Sequence, residues 1–444
     1  MKIAIIGAGI SGLGCAYALS KLPQVELTIY EGGDHIGGHS NTVDLTIDTA
    51  QGAITHGIDT GFLVFNQRTY PRLLRLFDEL NVPVAKSDMS FSASIPQRDS
   101  GAIEWAGTNI DSVFAQRKNL AKPAFLRMVA DIIRFNKLCT NLATENKLGT
   151  LELSVGEFID KHKFSKSFKD WYFLPMIGAI WSCSTAQMLS FPISTMIRFC
   201  HNHGLIKITD RPQWLTVNGG SKEYVKRITD AIKSNGGKFV REHANSVTRL
   251  NGEVEVVSNT SSEKYDHVVM ASHSDQTLNI LTDPSKEEEQ ILGAITYQDN
   301  RAVLHTDQGV LPKNKKCWAA WNYATTLSEG KEAQRVCVNY LINKLQPLPS
   351  EWEDQPVIVS LNPVTEPRKE SIRADIQYAH PVFDDAAIKA QANLPLIQGN
   401  NNTWFCGAWT GYGFHEDGLR SGELVAEAIY EVLHKPQKQS LNTI

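Results

Sequence analysis

Long apolar runs are missing from this sequence. The longest, Phe173 to Trp181, falls well short of the ~20 residues that cross a bilayer, so no spanning helix is expected. Excess charge is missing too. The formal net charge is -4 over 444 residues, which leaves no broad basic field for nucleic acid. Paired cysteines are absent. The seven cysteines (15, 139, 183, 200, 317, 337 and 406) are odd in number, scattered and without a CxxC pair. That pattern suits reduced thiols in a cytoplasm and excludes a disulfide framework or a zinc ribbon. No GxSxG, HExxH or P-loop string occurs, and no second GxGxxG. His201 and His203 form the sole His-x-His pair, without further ligands at metal spacing, so no metal is expected.

What is present is concentrated at the two ends. Met1 to Ile6 reads as a short buried strand running into Gly7-Ala8-Gly9-Ile10-Ser11-Gly12, and an apolar helix follows to about Leu22. A second strand, Val25 to Tyr30, ends on Glu31. This strand, glycine loop, helix, strand and acid form the layout of a dinucleotide site. Gly7 supplies the tight turn, and Gly9 lets the backbone approach a pyrophosphate. Ile10 and Ser11 open the helix, whose N-terminus favours phosphate charge. Gly12 lets helix and strand pack closely, and Glu31 can accept from ribose hydroxyls. Gly37, Gly38, His39 and Ser40 follow directly. Four hundred residues later, Trp404 to Gly411 precedes Gly418-Leu419-Arg420-Ser421-Gly422 and a closing amphipathic helix.

The second glycine pair and the C-terminal segment resemble the extended FAD fingerprint of the flavin amine oxidase and phytoene desaturase superfamily. Gly37, Gly38, Gly407, Gly418 and Leu419 are the matching positions. The resemblance implies a Rossmann-type FAD-binding domain interleaved with an α+β substrate domain, an α/β two-domain flavoprotein. Thr410 to Gly422 is also similar to one branch of that superfamily, usually labelled predicted NAD/FAD-binding protein. Its relatives form the N-terminal half of plant cyclopropane-fatty-acid synthases. Trp214 to Ser221, Trp318 to Tyr323 and Asn339 to Gln346 carry the resemblance through the middle of the chain. It implies FAD, an acyl or lipid substrate and a methyltransferase partner. Two departures stand out: His39 where many members carry Arg, and Ala408 where many carry an acid.

The segments expected for the FAD domain are 1–90, 205–285 and 395–444, with 91–204 and 286–394 on the substrate side. Helix is expected over Arg68 to Leu80 and Gly219 to Lys233. Strands are expected at Ser246 to Leu250, His267 to Ala271, Arg301 to Thr306, Cys317 to Tyr323, Val336 to Ile342 and Val357 to Leu361. Val247, on the first of these strands, is taken as a further cofactor contact. Residues 91–204 read as aromatic and helical. Two histidines are the candidates for proton chemistry. His305 ends a strand near where amine oxidases of this fold carry a lysine, and its alternative is a locally satisfied strand end. His415 lies in the His-Glu-Asp run beside the expected flavin edge, where Asp417 is suited to capping the following helix. Gln116 to Cys139 mixes basic and apolar residues. It is either an ordinary half-buried helix or a peripheral contact with an anionic membrane. The function expected is hydride transfer from an acyl chain or lipid to flavin. The alternatives are oxidation of an amine or other small molecule, and a non-catalytic flavin carrier.

Overall fold

The computed structural model describes the chain except residues 98–100, 146, 182–184, 208–210, 327–335 and 435–444, together with the side chains of 185–187. The apolar strand Lys2–Ile6, with four of five residues buried, is the centre of a parallel five-stranded sheet. Glu26–Tyr30 and then Lys238–Val240 lie on one side of it, and His267–Met270 and then Thr403–Phe405 on the other. Lys2–Ile6 and His267–Met270 read as continuous apolar runs, as parallel strands buried on both faces do; Lys238–Val240 and Thr403–Phe405 are not among the expected strands. The helix Ile10–Ser20 crosses back over this sheet and packs on the closing helix His415–His434. Glycine makes that approach possible. A Cβ on Gly422 would stand 2.1 Å from the Ser11 carbonyl oxygen, and one on Gly14 2.5 Å from Leu419 Cδ1.

A second sheet of seven strands runs in the order Ile372–Pro381, Tyr297–His305, Ile358–Leu361, Cys337–Leu341, Trp321–Ala324, Phe91–Gln97 and Gly101–Ala106. Two of its features depart from the sequence reading. Phe91–Gln97 and Gly101–Ala106 form a hairpin inside a stretch read as helical. Ile372–Pro381 was not expected as a strand, although its alternate residues are exposed. The basic stretch resolves into a 3₁₀ turn, Arg117–Ala121, and the helix Pro123–Thr144, whose Phe125, Met128, Phe135 and Cys139 are buried. Arg127 and Arg134 both pair with buried Asp131. No helix among the described residues is long and apolar enough to cross a membrane. The six cysteines other than Cys183, which lies outside the described residues, are buried and unpaired.

Candidate functional site

The C-terminal ends of the parallel strands open onto a cavity of about 440 Å³, lined by Gly7, Gly9, Ile10, Ser11, Glu31, Gly37, Gly38, His39, Gly407 and His415. This is where an open α/β sheet takes its ligand. Gly7 sits at φ +107, with space for no Cβ: the atom would stand 2.8 Å from the Ala271 carbonyl oxygen. Gly9 differs. Its Cβ would meet nothing within 4 Å and would project into open space. Gly12 is hidden behind the turn, where a Cβ would stand 2.0 Å from the Gly7 oxygen. Glu31 accepts from the Ala8 amide at 2.9 Å and the Gly33 amide at 2.7 Å. Gly37 bridges to Gly9 in parallel fashion, so the second glycine pair is laid against the first loop.

The remaining expected residues take three kinds of position. Ser40, Asp417, Gly418 and Leu419 stand behind the cavity wall. The Asp417 carboxylate accepts the Tyr412 and Phe414 amides at 3.0 and 3.1 Å and shapes the turn before the closing helix. Gly418 leaves room for Ile10 and Ser11, each 2.9 Å from where its Cβ would be. His415 reaches the cavity. Its ring stacks on Phe62 at 3.8 Å, and its Nε2 is bonded to Ser40 Oγ and Tyr224 OH, each at 2.8 Å. Burial pushes its pKa down to about 3, so it is neutral and a poor base at physiological pH. In the protein alone it supplies shape and a fixed hydrogen-bond corner to the cavity.

Val247 and His305, expected at the site, do not line this cavity. Val247 is buried in a second apolar cluster with Tyr30, Val256 and Leu281, outside the cavity lining. His305 ends the strand whose other end, Tyr297, touches the cavity. That end is roughly 26 Å away along the strand. Leu361, however, also lines the cavity and pairs with Ala302, only three residues before His305, so the sheet itself is what separates His305 from the cavity. The ring faces away. His305 Nε2 is 2.7 Å from Ser360 Oγ, which donates to Asn339 Oδ1 at 2.5 Å. Their neighbours Leu361 and Tyr340, on the opposite face, line the cavity. His305 belongs to a satisfied polar ladder under the sheet. Burial lowers its pKa to about 4.

Several cavity residues went unnoticed in the sequence. Tyr378 and His380 come from the unexpected strand, where period-two alternation was the available signal. His273 follows a strand end, a position that itself marks a ligand site. His380 Nδ1 lies 2.8 Å from the Asn300 amide nitrogen. That amide is oriented by the bond that its oxygen accepts from Asn362 at 2.7 Å. A second chamber, of about 400 Å³, adjoins the first. Met89, Ile180, His203, Leu205, Trp214 and Trp321 line both. His203 closes the helix Ile193–Asn202, stacks on Phe199 at 4.0 Å and donates through Nδ1 to its carbonyl at 3.0 Å. Among the described residues no cluster of His, Cys, Asp or Glu could hold a metal.

A family model described as an NAD(P)-binding Rossmann-like domain matches residues 5–80. Cyclohexylamine oxidase from Brevibacterium oxydans IH-35A superposes with a TM-score of 0.67 at 14% identity, over 98% of this chain and 99% of that one. The chain has the amine oxidase fold. A fatty acid isomerase from P. acnes that produces CLA gives a TM-score of 0.64 at 15% identity, over 97% and 98% of the two chains. An oxidoreductase from Methanosarcina mazei gives 0.59 at 13%, over 96% and 100%. No curated protein sequence matches. At such identities the amine oxidase-like likeness fixes architecture: a Rossmann-type domain joined to a second sheet, with the nucleotide cavity between them.

Proposed function

We propose that the protein is an FAD-dependent oxidoreductase that removes hydrogen from an acyl chain, free or lipid-borne. The cavity suits the cofactor. Open space above Gly9 admits close backbone approach, the amides opening the helix Ile10–Ser20 face the lining, and Glu31 closes one end. Gly7, Gly9, Ile10, Ser11, Glu31, Gly37, Gly38, His39 and Gly407 would hold FAD, with Ser40, Asp417, Gly418 and Leu419 supporting them from behind. Bound flavin supplies acceptance of a hydride and its electron pair.

The observation that carries the substrate assignment is the adjoining chamber. Phe91, Trp105, Tyr172, Met176, Ala179 and Ile180 give it an apolar wall that excludes water and aligns a chain. Its two formal charges among the described residues, Asp88 and Arg211, are of opposite sign. Asp88 is held in place by Ser90, accepting its amide at 2.7 Å and its hydroxyl at 2.9 Å. Arg211 is exposed at the rim and donates through Nε to the Lys207 carbonyl at 2.8 Å, leaving its terminal nitrogens to meet a head group. The P. acnes relative's name, a fatty acid isomerase, points the same way. Exposed Ile110, Leu120, Leu126 and Ile133 follow Gly107 and Thr108 of the chamber wall in sequence and lie among basic residues. They would meet an anionic lipid surface.

Anaerobic titration of the yellow protein with acyl lipids and with amines tests the reading. Bleaching of the flavin band by a lipid is the expected result. Bleaching by an amine alone would reassign the substrate, and no bleaching by either would leave a flavin carrier without turnover. Co-sedimentation with anionic vesicles, weakened in the double variant Leu126→Glu/Ile133→Glu, tests the surface. Equal binding by that variant would remove it.

A further inference from the structure

The cavity that faces the glycine loop contains no lysine or arginine among the described residues. Its one formal charge is Glu31, which is negative. Arg241 lies near that end but is exposed, and it donates to the Gly33 carbonyl at 2.9 Å. Five imidazoles line the cavity instead: His39, His203, His273, His380 and His415. Three of them gather beside the loop. His39 is 5.2 Å from His380 and 6.3 Å from His273, ring centre to ring centre, and stacks on Tyr378 at 4.9 Å. Gly38, immediately before His39, is packed on Gly9, whose Cα lies 3.2 Å from where a Gly38 Cβ would be.

The members of this group are not equivalent. His415 has its Nε2 engaged by two hydroxyls. His380 accepts at Nδ1 from an amide that is itself oriented, so its ring is held as a neutral donor through Nε2. His39 Nε2 is buried and has no partner. A buried polar atom without a partner is costly and calls for an explanation.

Resting on the reading of this cavity as an FAD site, we propose that His39 is its cation: the ring takes up a proton when the cofactor's pyrophosphate binds beside Gly7 and Gly9, and cofactor affinity therefore falls as pH rises. The groups that act on His39 are His380 and Tyr378 on the strand Ile372–Pro381, His273 after the strand His267–Met270, His415 on the closing helix and His35 on its own loop. None of these supplies a negative charge near neutrality. Asp275 acts on His273 and Asp59 on Tyr378. In the protein alone, burial and the neighbouring imidazoles hold His39 neutral, well below its ordinary pKa. An anion reverses that balance. A unit charge about 4 Å away, at an effective dielectric of about 20, favours the protonated ring roughly a thousandfold. The pyrophosphate is fully ionised and titrates nowhere near neutrality, so the proton must come to the protein.

The test follows FAD release and rebinding by the full-length protein through quenching of flavin fluorescence, between about pH 6 and pH 8. Calorimetry in two buffers of different ionisation enthalpy counts the protons. Wild type should lose affinity by up to about tenfold per pH unit and take up about one proton on binding. His39→Arg should bind with little pH dependence and no uptake. His39→Gln should bind more weakly at the acid end, with the slope gone. Wild-type affinity that is flat with pH, or a slope and proton uptake that survive in both variants, would overturn the proposal while leaving the FAD site intact. No FAD binding at any pH would overturn the cofactor reading and this inference with it.

Discussion

Single glycines divide into those the fold needs and those the ligand needs, and substitution separates them. Gly9 has an ordinary φ of -73, and a Cβ there meets nothing. Gly9→Val should therefore leave the melting temperature nearly unchanged while cofactor retention is lost. Gly12→Ala should do the reverse damage. Its Cβ would come within 2.0 Å of the Gly7 oxygen, and overpacking of this kind costs about 1–3 kcal/mol or more. Thermal melts with and without FAD distinguish the two, and a Gly9→Val protein that holds FAD normally would displace the loop from the site. Both roles were legible in the strand–glycine–helix context. The histidines were not, because a residue type alone does not tell whether a ring faces ligand, core or solvent. His305 and His273 look alike in sequence, and only strand pairing shows that one is turned away.

Among the elements, those with one unambiguous period were read almost to the residue. Glu26–Tyr30 and His267–Met270 came out within a residue or two of expectation: the first alternates polar and apolar residues, and the second, buried on both faces, is a nearly unbroken apolar run. Phe91–Ala106 was misread, since its aromatic and small residues carry no clear alternation, and its pairing partner Trp321–Ala324 lies over two hundred residues away. The polar ladder beneath the second sheet gives a sharp expectation. His305→Ala would leave the Asp307 amide, bonded to His305 at 3.1 Å, without a partner, and would remove one of the two bonds of Ser360, which keeps Asn339. It should cost about 1–3 kcal/mol of stability, read as a lower melting point, while the rate of flavin reduction is unchanged; a tenfold slower reduction would restore it to the chemistry. Another element bears on nicotinamide cofactors. The helix Lys222–Ser234 follows the Gly219-Gly220 turn and could be mistaken for a second phosphate site. Its start is already filled, because the Ser221 amide donates to both Asp59 oxygens at 2.8 and 3.0 Å. NADH and NADPH should reduce the flavin poorly, and rapid saturable reduction by either in a stopped-flow trace would contradict that.

At the scale of the whole molecule, buried imidazoles set the response to acid. His203, His305, His380 and His415 are held near 4, 4, 4 and 3, each by burial, against about 6.5 in the unfolded chain. A depressed folded value means that the unfolded state binds the proton first. Stability is therefore full above about pH 6.5 and falls as pH drops, by up to about 1.4 kcal/mol per pH unit for each ring. Asp59, which burial lifts to about 6, and Glu416 and Asp417, which burial also raises, oppose this in part. Denaturant melts between about pH 8 and pH 5 should show this decline, less steep in His305→Gln. A flat profile would mean that the rings titrate freely. The discontinuous architecture was foreseeable from glycine motifs at both ends, but not the way in which the second sheet closes, which depends on pairings distant in sequence.

The order in which the chain supplies its parts has a consequence for synthesis. Thr403–Phe405 joins the first sheet next to His267–Met270, and the closing helix packs on the helix that follows the first strand. During translation, the glycine loop is made first and waits for its last wall. Contacts of such long sequence separation form slowly, and until they do an apolar trough stays open to other chains. On the proposed reading, full enclosure of the cofactor awaits the wall that Gly407 and His415 supply, some four hundred residues after the glycine loop. A nascent chain stalled short of Trp404 would keep that trough open, and on the proposed reading retention of FAD would report that the two ends of the site have met.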